Sequence, residues 1–282
     1  MNLTSFKELV KQYKVIFFDA YGVLKTHKGV LPGVKETLQY LDDNNIDYYV
    51  LTNDASRSRR LLAKGYQDAG IAEITHHKFI TSGMLAQSYL QRKIKEGTIA
   101  YLGTYNSAHY IEKAGLKPIS IADVTPEHYD DIKALVFLDD EGYNWNEDIN
   151  RALNLLRKTP IPAIVANTDA TYPVANKEVA VSVGAIADML EKLARRTFIR
   201  FGKPDSEIFN FAYNYAVQED HAHKHEILMV GDSLSTDIIG GNKFGIDTAL
   251  VLSGNILPER AELHIASTGI TPDYICESIS FQ

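Results

Sequence analysis

The sequence lacks the features that mark secreted, membrane and nucleic-acid-binding proteins. Cys276 is its single cysteine, so an internal disulfide is impossible and a reducing compartment is expected. No apolar run approaches the length of a membrane span, and residues 1–14 carry no apolar signal core. The net charge is −7 and no block of basic residues occurs. We therefore expect a cytoplasmic protein that binds neither nucleic acid nor membranes.

What the sequence does contain is a repeating α/β pattern. The 282 residues, 45% of them apolar, suffice for one large domain or two modest domains with real cores. Short β-rich runs alternate with amphipathic stretches along the whole chain. This alternation predicts an α/β fold with a Rossmann-like, doubly wound parallel sheet.

The first strand ends in a carboxylate. Residues 15–18 form a β-branched and aromatic run, which is followed by Asp19 and, after a short turn, by Gly22. A buried parallel strand would carry Asp19 to the carboxyl edge of the sheet, where open α/β folds bind their ligands. The alternative at this point is an aspartate that only caps the following turn.

Three later segments place further polar residues after predicted strands. Thr52 and Asn53 follow the second strand, Lys203 follows another, and Asp232 follows a fourth, with Asp237 five residues further on. Each has an ordinary structural explanation when taken singly: a strand end, a solvated surface charge or a helix cap. As an ordered set they resemble the four motifs of the haloacid dehalogenase-like (HAD) superfamily of phosphotransferases.

The resemblance implies a set of catalytic roles. Asp19 would be the nucleophile and would form an aspartyl-phosphate. The Thr52 hydroxyl, the Asn53 amide and the Lys203 ammonium would donate to the phosphoryl oxygens. Catalytic residues are thus predicted at Asp19, Tyr21, Thr52 and Lys203.

The resemblance also implies a Mg²⁺ cofactor. Asp19, the backbone carbonyl of Tyr21 and Asp232 would supply the oxygen ligands that this hard cation prefers. Asp237 would lie in the first turn of the next helix and hold the water molecules of the metal.

A second domain is predicted inside the first. Another set of α/β signals lies between the second and third motifs, and we place an inserted α/β domain at residues 90–183, with the catalytic core formed by residues 1–89 and 184–282. This position resembles subclass IIA of the superfamily, which carries a C2 cap and includes p-nitrophenylphosphatases and sugar phosphatases. Relatives in this group often form homodimers through the cap, so a homodimer is implied here.

Two polar turns fall within the predicted cap. Asn167 and Asp169 could bind the substrate, although Asn-Thr-Asp is also ordinary turn chemistry, and both interpretations stay open. Asp139, Asp140 and Glu141 form an acidic turn that is expected to be solvated.

Tyr21 departs from the phosphatase pattern. Phosphatases of the superfamily have an aspartate here, which protonates the leaving oxygen and then activates water, whereas a phenol with a pKa of about 10 is a poor base near neutrality. Such a tyrosine is typical of the 2-haloacid dehalogenases. Those enzymes, however, carry a helical cap between the first two motifs, where this chain has no room for one, and they work without metal.

The resulting prediction is a Mg²⁺-dependent phosphatase that hydrolyses small, sugar-phosphate-like monoesters slowly, because Tyr21 replaces the general acid. Its partner would be a small phosphorylated metabolite. Two alternatives stay open: a metal-independent hydrolase of the dehalogenase type, and a phosphate-ligand-binding protein with weakened catalysis.

Overall fold

The computed structural model describes residues 3–175, 178–220, 222–254, 256 and 258–281. Internal contacts divide the chain into two units. The core unit comprises Met1–Thr52, Arg59–Ile80 and Lys203–Gln282, and the inserted unit comprises Asn53–Ser58 and Thr81–Gly202.

Strands and helices alternate in both units, as the sequence pattern predicts. The strands are β1 (Val15–Phe18), β2 (Lys25–Thr26), β3 (Gly29–Val30), β4 (Asp47–Thr52), β5 (Phe79–Thr81), β6 (Thr98–Leu102), β7 (Lys117–Ser120), β8 (Ile132–Phe137), β9 (Ala163–Val165), β10 (Thr171–Ala175), β11 (Glu178–Val181), β12 (Ile199–Arg200), β13 (Ile227–Gly231), β14 (Asp247–Val251) and β15 (Tyr274–Cys276). The α-helices are α1 (Phe6–Val10), α2 (Val34–Asp43), α3 (Arg59–Asp68), α4 (Ser82–Lys93), α5 (His109–Lys113), α6 (Glu147–Lys158), α7 (Val183–Ala194), α8 (Ser206–Asp220), α9 (Ile239–Phe244) and α10 (Ala261–Thr268).

The core unit is built on a six-stranded sheet in the order β15-β14-β13-β1-β4-β5. Strand β1 pairs in parallel with β13 on one side and β4 on the other, with Phe18 opposite Val230 and Val50. All four residues of β1 are buried, which is typical of a central parallel strand covered on both faces. The chain leaves β1 toward β4 and later returns to β13, so the strand order reverses between β1 and β13. Ligands of such sheets bind at this reversal, beyond the carboxyl ends of the strands.

The inserted unit has its own parallel sheet, in the order β12-β9-β8-β6-β7, and an antiparallel β10–β11 hairpin. A separate apolar cluster packs between this sheet and its helices. The predicted insertion at residues 90–183 lies within this unit, which continues further at both ends. The reason is that α4 packs on α5 before residue 90, while α7 packs on α6 and β12 pairs with β9 after residue 183.

The predicted fold class is confirmed: an α/β chain with a doubly wound parallel sheet and a smaller inserted α/β unit. Among the described residues, no helix combines the length and apolar character needed to cross a bilayer.

Candidate active site

Asp19 lies at the reversal point of the core sheet. Its backbone N–H donates to the carbonyl of Val230 at 2.8 Å, so the hydrogen bonding between β1 and β13 continues one residue past the end of β1. Asp232 directly follows β13. Asp19 and Asp232, two of the three carboxylates predicted at the metal site, therefore leave adjacent strands at the same edge of the sheet.

Asp237 completes a group of three carboxylates. One ligand oxygen each of Asp19, Asp232 and Asp237 lies within 4.8 Å of the others. Asp237 belongs to a π-helical turn, Leu234–Ile238, a local widening of the helix that often occurs at functional sites. The backbone N–H of Ser233 donates to Asp237 Oδ2 at 3.1 Å and orients the carboxylate.

Lys203 is buried between two of these carboxylates. Its Nζ lies 2.6 Å from Asp19 Oδ1 and 2.7 Å from Asp237 Oδ1, and the residue is only 2% exposed. Burial disfavours the ammonium, but the charges of Asp19 and Asp237 outweigh burial, and the pKa of Lys203 is raised. Burial also raises the pKa of Asp237, against the opposing effect of the Lys203 charge. A solvated surface role for Lys203 is thus excluded.

The residues present fit a divalent cation. Lys203 brings one positive charge to three carboxylates, and a cation such as Mg²⁺ would balance the remaining charge with oxygen ligands of its preferred kind. Two glycines leave space around Asp232. A Cβ on Gly22 would lie 2.1 Å from Asp232 Oδ2, and a Cβ on Gly254 would lie 2.0 Å from the same atom. The Tyr21 carbonyl as a further ligand stays a prediction.

Tyr21 lies in the turn that follows Asp19, and Lys25 accompanies it. The Gly22 N–H donates to the Lys25 carbonyl at 2.8 Å, which closes the turn. The Lys25 ammonium lies 5.1 Å from the centroid of the Tyr21 ring and 5.5 Å from that of Tyr66, both within cation–π range. The sequence prediction missed Lys25, because nothing in its spacing separates it from a surface lysine.

Thr52 is the last residue of β4 and is buried. Because Val50 pairs with Phe18, Thr52 leaves the sheet at the level of the residues that follow β1. The core unit therefore carries Asp19, Thr52, Lys203, Asp232 and Asp237 at one edge of its sheet, as the ordered motifs predict.

The predicted substrate-binding residues of the inserted unit are hydrogen-bonded among themselves. Asn53 Nδ2 donates to Asp169 Oδ1 at 2.9 Å and to Thr168 Oγ1 at 3.1 Å. Asn167 Oδ1 accepts from the Asp169 backbone N–H at 3.0 Å. Substrate contact by Asn53, Asn167 and Asp169 stays a prediction.

The expectation of a solvated acidic turn at 139–141 is wrong for Asp139, which is 8% exposed and accepts from Thr104 Oγ1 at 2.7 Å. Asp140 accepts from the Ser182 hydroxyl and the Val183 N–H, each at 2.6 Å. These bonds connect the residues after β8 to the residues after β6 and to the start of α7, so the turn is buried at Asp139 and half-buried at Asp140. Burial raises the pKa of both carboxyls.

Family models match both parts of the core. A model described as haloacid dehalogenase-like hydrolase matches residues 16–117, and one described as HAD-hydrolase-like matches residues 200–280.

Similar proteins span nearly the whole chain. Ribonucleotide monophosphatase NagD of Escherichia coli (strain K12) is 30% identical over 244 residues, which cover 86% of this chain and 88% of NagD. Dihydroxyacetone phosphatase of Corynebacterium glutamicum (strain R) is 28% identical over 93% of this chain and 88% of its own length. A solved structure from Cytophaga hutchinsonii, described as a possible sugar phosphatase of the HAD superfamily, is 52% identical with a TM-score of 0.96 and covers 100% of this chain and 99% of its own.

Proposed function

The chain belongs to the family of haloacid dehalogenase-like hydrolases, and from this premise we propose that it is a Mg²⁺-dependent phosphatase of small phosphate monoesters such as sugar phosphates. One observation carries the proposal: Asp19, Asp232, Asp237 and Lys203 converge at the reversal point of the core sheet. This group combines a nucleophile, a set of oxygen ligands and a fixed positive charge. The similarity to NagD, dihydroxyacetone phosphatase and the Cytophaga protein supports phosphate esters as substrates.

In the first half of the reaction an Asp19 oxygen attacks phosphorus, and the bond to the leaving oxygen breaks to give an aspartyl-phosphate. Lys203, held 2.6 Å from Asp19 Oδ1, orients the carboxylate and attracts the phosphoryl oxygens. The Thr52 hydroxyl donates to the same group. A cation bound by Asp19, Asp232 and Asp237 would add electrostatic stabilisation of the phosphoryl charge.

In the second half water attacks phosphorus and Asp19 is regenerated. Tyr21 lacks the carboxylate that would accept a proton from this water, and such a group typically contributes about 10²–10⁴ in rate. Turnover is therefore slow, and the aspartyl-phosphate accumulates. Esters with stable leaving groups are favoured because they need no proton donor.

Further parts of the proposal concern the surroundings of the reaction. Asn53 joins Thr52 in binding the phosphoryl group, while Asn167 and Asp169 of the inserted unit bind the substrate directly or act through Asn53.

The protein works in the cytoplasm, consistent with its free cysteine, and forms a homodimer through the inserted unit.

A phosphate-release screen over small phosphate esters tests the proposal. Release should occur with Mg²⁺ and stop with a chelator, while halide release from 2-chloropropionate, measured alongside, should be absent. Metal-independent halide release would favour a dehalogenase-type hydrolase. Metal-dependent phosphate binding without release would favour a phosphate-ligand-binding protein. The Asp19→Asn variant is the matched control, because it is nearly isosteric and cannot form the acyl-phosphate.

A further inference from the structure

We infer that Asp169 is a positioning residue that acts through Asn53 and does not contact the ester. The inference rests on the proposed phosphatase function and deepens it. Asn53 directly follows Thr52, where the chain passes from the core unit into the inserted unit, and Gly202 directly precedes Lys203, where it passes back. Asp169 accepts a hydrogen bond from Asn53, and Asn53 packs against Gly202.

The side-chain amide of Asn53 donates hydrogen bonds within the inserted unit. Its amide nitrogen donates to Asp169 Oδ1 and Thr168 Oγ1, and the residue is 2% exposed. Its backbone carbonyl accepts from the buried Ser82 hydroxyl at 2.9 Å. The inserted unit therefore holds both the side-chain amide and the backbone carbonyl of Asn53, and the side-chain amide protons are directed at residues 168 and 169.

Gly202 packs directly on this amide group. A Cβ at Gly202 would lie 2.7 Å from Asn53 Oδ1 and 3.1 Å from Thr168 Oγ1, and the glycine has a φ of +131°. Only glycine combines this backbone conformation with so close an approach. The residue after Thr52 and the residue before Lys203 therefore rest against each other.

The backbone of Asp169 is itself held by two contacts within the inserted unit. Its backbone N–H donates to Asn167 Oδ1 at 3.0 Å. A Cβ at Gly184, in the first turn of α7, would lie 2.4 Å from the Asp169 carbonyl oxygen. The backbone of Asp169 thus bonds to Asn167 and packs against α7, while its carboxylate accepts from Asn53.

The Asp169–Asn53 bond affects two phosphate-binding groups through the chain: the Thr52 hydroxyl, whose residue directly precedes Asn53, and the Lys203 ammonium, whose residue directly follows Gly202. Misplacing such donors by about an ångström can cost a large factor in rate. Loss of the Asp169–Asn53 bond should therefore weaken recognition of the phosphoryl group, which every substrate shares. A residue that touched the leaving portion would instead change the preference among esters.

The test compares Asp169→Ala, Asp169→Asn and Asp169→Glu with Asp130→Ala, which removes an exposed carboxylate of the same unit. KM and kcat are measured for p-nitrophenyl phosphate and two alkyl phosphates, and inorganic phosphate binding is measured by calorimetry with Mg²⁺. Asp169→Ala should raise every KM and the phosphate dissociation constant by a common factor of about 10 or more. Asp169→Asn keeps the acceptor oxygen and should stay within about threefold, whereas Asp169→Glu keeps the charge but not the geometry and should resemble Asp169→Ala.

The inference is overturned if Asp169→Ala changes the ratio of kcat/KM among the esters while the phosphate dissociation constant is unchanged. It is also overturned if Asp169→Ala and Asp130→Ala have the same KM values and the same phosphate dissociation constant. Should Asp169→Ala fail to fold, the contrast between Asp169→Asn and Asp169→Glu decides in the same way. Failure of the phosphatase function is separately visible, because the wild type would then bind inorganic phosphate without hydrolysing any ester, and the binding series still tests Asp169. If the wild type does neither, both proposals fall.

Discussion

Replacing Lys203 with methionine should destabilise the core unit strongly. The ammonium lies between Asp19 and Asp237 and is 2% exposed, so its removal leaves buried carboxylates without their compensating charge. Breaking a buried pair in this way typically costs about 3–5 kcal/mol. For a chain of this size that loss corresponds to a melting temperature lower by about 6–20 °C.

The same substitution should increase the rise in melting temperature that Mg²⁺ causes. A cation that binds only the folded state stabilises it by about 2.7 kcal/mol at a concentration 100 times its dissociation constant. Without the ammonium the three carboxylates attract the cation more strongly, so the difference in melting temperature between Mg²⁺ and chelator should be larger than in the wild type. Phosphatase activity should be lost even when Mg²⁺ restores stability.

Thermal unfolding followed by circular dichroism measures both effects. Lys64→Met is the matched control, because Lys64 forms an exposed ion pair with Asp68 on α3 and should change stability by less than about 1 kcal/mol. If Lys203→Met melted within a degree or two of the wild type and responded to Mg²⁺ no more strongly, the buried charge balance described here would be refuted.

Two further substitutions test the turn after Asp19. Tyr21→Asp should raise kcat/KM for alkyl phosphates by about 10–10³-fold and leave kcat/KM for p-nitrophenyl phosphate nearly unchanged, because kcat/KM reports the first half of the reaction and only the alkoxide needs a proton there; equal effects on the two values of kcat/KM would place Tyr21 away from the leaving group. Gly22→Ala should weaken Mg²⁺ binding in calorimetry, because its Cβ would lie 2.1 Å from Asp232 Oδ2. Gly70→Ala, also at positive φ but with open space around it, should leave Mg²⁺ binding unchanged; similar affinities in the two variants would contradict the packing argument.

The positions of the core motifs were predictable because they depend on a local rule. A buried apolar run that ends in a polar residue indicates a parallel strand with that residue at the carboxyl edge. Asp19 and Asp232 directly follow such strands, and Thr52 is the last residue of one. The order of the motifs along the chain then suffices to assign them to one sheet edge.

Side-chain partners were not predictable, because they depend on packing between distant segments. Lys203 carries no local sign that it is buried against Asp19, and only the folded sheet removes the alternative of a surface lysine. The sequence around Asp139 predicts a solvated turn, but in the structure Asp139 is buried and accepts a hydrogen bond from Thr104. The hydrogen bond from the Asn53 side-chain amide to Asp169 could not be predicted either, because the two residues are far apart in the sequence.

The most direct test of the central claim is chemical trapping of the phosphorylated nucleophile. The enzyme would be quenched during turnover of p-nitrophenyl phosphate with Mg²⁺, reduced with borohydride, and digested for peptide mass spectrometry. An aspartyl-phosphate is reduced to homoserine, so homoserine should appear at position 19, in quantity because Tyr21 leaves the hydrolysis of the intermediate slow, and it should be absent without substrate and from Asp19→Asn. Phosphate release with an unmodified Asp19, or with homoserine at another aspartate, would contradict the account.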